Sequence, residues 1–197
     1  MDNILGTILD IKGKTKDNYQ ARQDLQEMGL RPKLHPYTGN DGKMYLPPAR
    51  HTMLNEDKTA FLKVLRDVRV PDGYASNIFR CVRMKDRMML GLKSHDNHLL
   101  MQQLLPIALR GLKLPSNVVK VLVDMSTFFK GICEMTLTPE ALDKLQDHVC
   151  ITLCLMEQTF PPAFSLARFA LSSILSVNAD SVDWCNIDGC TLERGKF

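Results

Sequence analysis

The sequence has few features of membrane proteins, disulfide scaffolds or strongly charged binding proteins. Its 197 residues include six cysteines, and no two form a CxxC pair, which argues against a disulfide framework. No apolar run approaches the roughly 20 residues that span a bilayer, and the first residues lack the basic start of a secretory signal. The formal net charge is only +3, so no strong field requires an anionic partner. We therefore expect an intracellular protein, nuclear or cytoplasmic, with no evident small-molecule ligand.

The composition is that of a globular protein whose charge and proline content change along the chain. Hydrophobic residues make up 45% and charged residues 24% of the sequence, enough for a core in a chain of this length. Residues 1–95 hold 17 Lys and Arg against 11 Asp and Glu. Prolines at positions 32, 36, 47, 48 and 71 disfavour long helices there. The first half is therefore predicted to be loop-rich, with short helices.

Three short helices are predicted in this half. An apolar stripe over residues 4–9 has helical spacing, and Asp17 or Asn18 is placed to cap a second helix. Asn55 is placed to cap a third. Between them, residues 38–42 read TGNDG, a strong signal for a chain reversal.

The second half has helical apolar periods that predict a bundle over residues 94–160. Ser94 or Asp96 begins its first segment, and Pro106 should kink or break it. A second helix begins at Ser116, and Thr138 followed by Pro139 begins the longest one. Six side chains should be largely buried: Leu104, Leu122, Phe129, Leu145, Val149 and Leu153. The predicted fold class is mainly α, with an irregular tail.

Two groups of residues are typical of metal ligands but have simpler interpretations. His95 and His98 could share one helix face beside Asp96, although Asp96 is also placed to cap a helix between solvated histidines. Cys150 and Cys154 lie one helical turn apart, and we expect two small buried thiols in the core rather than two ligands. No metal site is therefore predicted.

A basic segment and one glutamate remain as candidate functional residues. The densest basic run, interleaved with Phe79 and Met84, could contact DNA phosphates or form a solvated surface; it comprises Arg80, Arg83, Lys85, Arg87 and Lys93. Glu157 lies near the apolar seam of the longest predicted helix, where a solvated or helix-end glutamate is the plain interpretation. No phosphate-binding glycine loop or HExxH motif is present.

Several separated short sequence motifs (words) in residues 1–164 resemble one family, the transposases of plant CACTA (En/Spm) elements. The matching words, in order, are DNILGT at 2–7, GKTKDN at 13–18, 21–36 with its DL and EMG, YLPPA at 45–49, VPDGY at 70–74, GLKSHD at 91–96, MQQLLP at 101–106 and FPP at 160–162. The matched stretch joins the family's transposase core to a following domain of unknown function.

This resemblance implies a fragment of a DDE-type, cut-and-paste transposase. The family has an RNase H-like core whose acidic residues cleave DNA with divalent metal ions. In relatives, a segment similar to LDVMHIEKNVCDN comes just before the first word, so we expect the catalytic half with its early aspartates to be missing. Glu157 matches a glutamate in the family's LCELExxFPP helix and is the candidate for its late catalytic acid. The fragment is expected to be no enzyme and to bind no cofactor.

The tail departs from the family pattern. Residues 184–191 can be encoded so that a shifted reading frame gives VQYRWMY, part of a word that follows in the family. We expect an out-of-frame tail over 164–197, after a core end and linker over 1–93 and a truncated helical domain over 94–163. The leading hypothesis is a truncated, transposase-derived protein without transposase activity. The alternative is a domesticated helical module that binds DNA or a full-length transposase.

Overall fold

A computed structural model of the chain describes residues 2–69, 78–134 and 138–161, and these residues form a mainly α structure. The predicted tail over 164–197 lies outside the described residues. The elements of the first part are the helices α1 (Asp2–Ile8), α2 (Tyr19–Glu27) and α3 (Asn55–Asp67), a 3-10 turn at Pro32–Leu34, and the strands β1 (Tyr37–Thr38) and β2 (Met44–Tyr45).

The second part begins with a small hairpin and continues with helices. Its elements are a 3-10 turn (Ile78–Cys81), the strands β3 (Val82–Arg83) and β4 (Met88–Met89), and the helices α4 (Ser94–Leu99), α5 (Leu105–Ala108), α6 (Ser116–Ile132) and α7 (Pro139–Thr159). The helical bundle predicted for residues 94–160 is confirmed in the described part of that range. No helix among the described residues is long and apolar enough to cross a membrane.

Two predicted helix caps form as expected. The Asn18 side chain accepts a hydrogen bond from the Ala21 N–H at 3.0 Å, and the Thr138 hydroxyl oxygen accepts one from the Ala141 N–H at 3.3 Å. The prediction for Asn55 is wrong, because Asn55 is the first helical residue and Leu54 occupies the cap position without a side-chain bond.

Pro106 changes the helix geometry without ending the helix. Residues Leu100–Leu104 form a π-helical turn between α4 and α5, and the Leu105 N–H donates to the carbonyl oxygen of Leu100 five residues earlier. Proline has no N–H to continue the regular hydrogen-bond ladder, and a π turn accommodates its ring at the start of α5. The predicted irregularity is therefore a local widening of a continuous helical segment.

One apolar core joins both parts of the structure. It includes α1 residues such as Ile4, the fully buried Phe61 and Leu122, and Phe160 just after α7. Of the six core residues predicted in the bundle, Leu104, Leu122, Val149 and Leu153 are buried. Phe129 and Leu145 are half-buried and pack against the core.

The cysteines of α7 contradict the sequence prediction. Cys150 and Cys154 are both exposed, whereas Val149, Thr152, Leu153 and Met156 form the buried face of the helix. Each thiol follows a buried residue by one position, which turns it about 100° away around the helix axis. The prediction failed because the face of α7 that packs against the core carries Thr152 rather than the two thiols.

Candidate nucleic-acid interface

The basic segment folds as a hairpin that precedes α4. Strands β3 and β4 pair antiparallel, with Val82 opposite Met89 and Arg83 opposite Met88. The hairpin is closed further along, where the Leu90 N–H donates to the carbonyl oxygen of Cys81 at 2.9 Å. Met89 is buried and Val82 half-buried against the core. These apolar contacts fix the hairpin to the helices and position its turn.

The turn of the hairpin carries the centre of the basic run. Residues 84–87 form the turn, and Arg87 has a left-handed backbone conformation with φ of 49°. This conformation is uncommon for a residue other than glycine, and here it returns the chain into β4. Lys85 and Arg87 are both exposed in the turn.

All five predicted phosphate-contacting residues are exposed. Arg80 lies in the 3-10 turn Ile78–Cys81, and Lys93 directly precedes α4. None of the five forms an ion pair with a carboxylate in the described part of the chain. Asp86 is the single acidic residue between positions 80 and 93. The hairpin and its two flanks, which we call the basic hairpin (residues 80–93), therefore present a local excess of positive charge to solvent.

The two apolar residues interleaved in the basic run have different environments. Met84 is half-buried and packs against the core, so it anchors the turn. Phe79 remains 46% exposed beside Arg80. An exposed aromatic ring next to cationic side chains is a surface on which nucleic-acid bases stack.

His95 and His98 lie in α4 on either side of Asp96, next to the basic hairpin. Asp96 is buried, and its Oδ2 accepts a hydrogen bond from the Lys93 N–H at 3.0 Å. His95 and His98 are exposed. Among the described residues, no three His, Cys, Asp or Glu side chains form a group that could hold a metal ion. Asp96 thus fills the helix-start role that its position indicated.

Glu157, the candidate late acid, lies apart from the basic hairpin on α7. Its side chain is exposed, while its backbone carbonyl accepts a hydrogen bond from Arg31. No described acidic side chains converge with it in a possible metal-binding group. The residues present therefore do not fit the metal-dependent site that the family resemblance implies.

Asp17, Arg22 and His51 form a buried polar cluster that no sequence pattern predicted. Arg22 and His51 are each 2% exposed. The Arg22 guanidinium donates to both carboxylate oxygens of Asp17, with 2.7 Å between Nη2 and Oδ2. His51 Nε2 lies 3.0 Å from the same Oδ2. This bidentate pair with a shared histidine is a charge-assisted network enclosed by the chain.

Backbone carbonyls complete the cluster. Arg22 also donates to the carbonyl oxygens of Leu34 at 3.0 Å and Pro47 at 3.3 Å. His51 Nδ1 lies 3.2 Å from the carbonyl oxygen of Thr159, at the end of α7. Both ring nitrogens of His51 thus face oxygen acceptors. The cluster connects α2 and the loop before it, the 3-10 turn at Pro32–Leu34, the loop before α3, and α7.

The charge of Asp17 is stabilised by this environment. Burial by itself raises the pKa of its carboxyl, but the hydrogen bonds and positive charges of His51 and Arg22 outweigh burial and lower the pKa below its usual value. Asp17 therefore remains an anion in the folded protein at neutral pH. His51 lies 34 residues from Asp17 in the sequence, so local pattern contained no signal that these three side chains meet.

Arg31 makes a second connection to the end of α7. Its guanidinium donates to the carbonyl oxygens of Glu157 and, at 2.8 Å, Phe160. Cationic groups at a helix C-terminus interact favourably with the unpaired carbonyls and the helix dipole. Burial is the main cause that lowers the pKa of Arg31, with the Arg22 charge adding to it. Together, Arg31 and the buried cluster join the end of α7 to the first part of the structure.

Comparison of the chain with protein-family models, curated proteins and solved structures gives no match.

Proposed function

We propose that this chain is a truncated, transposase-derived protein of the plant CACTA type that has no transposase activity of its own. We further propose that the chain binds DNA phosphates through the basic hairpin. The family origin rests on the ordered sequence words, and the site rests on one observation about the hairpin. Five cationic side chains are exposed there, and no described carboxylate neutralises them.

The physical character of such binding follows from the small number of charges. Phosphate contacts release counterions, and the logarithm of the binding constant falls by about 0.9 per contact for each unit of log salt concentration. Contacts to phosphates carry no sequence information. The proposed interaction is therefore weak, in the roughly 10⁻⁴ to 10⁻⁶ M range, indifferent to sequence and steeply dependent on salt.

Charge reversal in the basic hairpin tests this proposal. We expect Arg83→Glu with Arg87→Glu to weaken DNA binding at least about tenfold on every duplex sequence, because two attractive contacts become repulsive. Binding is measured by gel mobility and fluorescence anisotropy at low salt, with a salt titration for the slope. The matched control is Lys120→Glu with Lys130→Glu, which reverses two exposed charges on α6 and should have a smaller effect.

Two outcomes would contradict the proposed interface. If micromolar wild-type protein leaves DNA mobility unchanged at low salt, the basic hairpin is a solvated surface. If the α6 control loses as much affinity as the hairpin variant, binding depends on total charge rather than on this site. Far-UV circular dichroism of each variant establishes that the helices remain folded.

We expect the purified chain to cleave no DNA. Strand cleavage by this class needs carboxylates that hold two metal ions about 4 Å apart, and Glu157 has no converging acidic partners among the described residues. The substrate is a plasmid that carries CACTA-type terminal repeats, incubated with Mg²⁺ or Mn²⁺ and examined for nicked and linear forms. Metal-dependent nicking that disappears in Glu157→Gln would overturn this prediction and make Glu157 a working acid.

A further inference from the structure

The exposed cysteine pair of α7 has a geometry that suits one class of ligand. Cys150 and Cys154 are free thiols, both exposed, and both lie inside the continuous helix Pro139–Thr159. Residues four apart on a helix share a face, with about 5–6 Å between their Cβ atoms. Two sulfur atoms are therefore presented side by side to solvent on a rigid element.

A disulfide between these cysteines is disfavoured by the helix. Disulfide bonds need Cβ atoms about 3.5–4.5 Å apart, which is shorter than the spacing that one helical turn provides. Closing the bond would distort α7, whose buried face packs into the core through Val149, Leu153 and Met156. The helix therefore holds the two thiols near each other but keeps their Cβ atoms too far apart for a disulfide between them.

A single soft cation between the two sulfurs fits the spacing. Zinc–thiolate bonds are about 2.3 Å long, and at a similar bond length two sulfurs on opposite sides of one ion are roughly 4.6 Å apart. Thiolate side chains pointing toward each other from Cβ atoms one turn apart reach this separation without moving the backbone. Zinc would require four ligands, and no third or fourth ligand joins the pair among the described residues.

We propose that Cys150 and Cys154 form a two-coordinate site for a monovalent copper ion. Soft thiolate ligands select Cu(I), and two of them suffice for a linear complex. Binding replaces the two S–H bonds with two Cu–S bonds and releases two protons, and no electron is transferred. The site is independent of the basic hairpin and of the proposed transposase origin.

Anaerobic competition with a chromogenic Cu(I) chelator measures the affinity of the full chain for Cu(I). We expect one tight equivalent in the wild type and an affinity at least about 100-fold lower in Cys150→Ser and in Cys154→Ser, because each variant loses the second bond of the chelate. The chain's other cysteines include Cys133, at the end of α6, and Cys185 and Cys190, in the predicted tail. The double variant Cys185→Ser with Cys190→Ser should retain the tight equivalent, as should Cys133→Ser.

The spacing requirement is tested with a third position on the same helix. Gln158 is exposed and lies one turn after Cys154 and two turns after Cys150. Cys150→Ser with Gln158→Cys keeps a pair one turn apart and should restore tight binding. Cys154→Ser with Gln158→Cys also has two thiols, but these are about 12 Å apart along the axis and should not restore it.

The results that would overturn the proposal are specific. Wild-type affinity no higher than that of the two single serine variants would exclude a chelate at this pair. Equal affinity in the two Gln158→Cys double variants would show that thiol number, rather than spacing, determines binding. Loss of the tight equivalent in the Cys185→Ser with Cys190→Ser variant would assign the ion to another site. Circular dichroism of each variant controls for loss of α7.

Discussion

Replacing Arg22 with methionine is expected to lower the free energy of unfolding by about 3–5 kcal/mol, the cost of leaving a buried charge without its partner. Arg22 is 2% exposed and donates to both oxygens of Asp17, whose side chain is 7% exposed. Methionine fills much of the same volume but provides no donor, so among the described residues the Asp17 carboxylate keeps only His51 as a side-chain partner. The carbonyls of Leu34 and Pro47 also lose a donor. Urea denaturation at pH 7 measures the difference.

The surface pair of Arg66 and Asp67 provides the matched control. Its side chains are 45% and 52% exposed, with 3.0 Å between Arg66 Nε and Asp67 Oδ1. Exposed ion pairs contribute about 0–1 kcal/mol because water solvates both charges. Arg66→Met should therefore change stability little. Equal losses in Arg22→Met and Arg66→Met would mean that the buried cluster contributes no more than a surface pair.

The pH dependence of the Arg22→Met effect distinguishes lost charge pairing from lost packing. The pKa of Asp17 is lowered in the folded protein, so its stabilising contribution is complete above the unfolded value of about 3.9. That contribution is lost as the pH falls through the folded pKa. The stability gap between wild type and variant should therefore narrow below about pH 4. A gap that stays constant into acid would indicate packing alone.

Substituting Gly6 with alanine should destabilise the protein by about 1–3 kcal/mol, as overpacking of a tight site does. A Cβ at Gly6 would lie 2.7 Å from the backbone carbonyl oxygen of Lys14, and this loop cannot yield as a side-chain tip can. Residues on both sides of Gly6 in α1, such as Leu5 and Ile8, are buried, so the helix cannot move away either. Thermal and urea denaturation measure the loss.

Gly131→Ala is the control for this prediction. Both glycines lie in helices, where alanine gains up to about 1 kcal/mol in helix propensity. A Cβ at Gly131 would lie 2.7 Å from Cδ2 of Leu145, a side chain that is half-buried and able to change rotamer. We expect a smaller loss than for Gly6→Ala. A larger loss at Gly131 would contradict the distinction between backbone and side-chain obstacles.

Local signals in the sequence predicted the elements whose determinants are close along the chain. Asn18 and Thr138 cap their helices because an N-cap needs only a side-chain acceptor and the N–H three residues on. The TGNDG reversal forms a hairpin in which Tyr37 and Tyr45 stack with 5.8 Å between ring centroids. The exposure of the basic run could also be predicted from the sequence, since a dense set of like charges is seldom buried in a core.

Predictions failed where an outcome depended on which face of a helix meets the rest of the fold. The apolar character of Cys150 and Cys154 suggested the core, yet α7 buries Thr152, whose hydroxyl is satisfied by the His148 carbonyl at 2.9 Å. The predicted cap at Asn55 failed for a different reason: the helix boundary was misplaced by one residue, which is within the usual uncertainty of such a boundary.

The sequence by itself determined the helical class, most helix starts and the chain reversal at TGNDG, because capping, turn chemistry and apolar periodicity act over a few residues. Only the tertiary structure decided that Asp17, Arg22 and His51 form one buried cluster and that Arg31 binds the end of α7. These contacts join positions up to 129 residues apart. They exist because the packed core brings distant polar groups together in a low-dielectric interior, where each must find a partner.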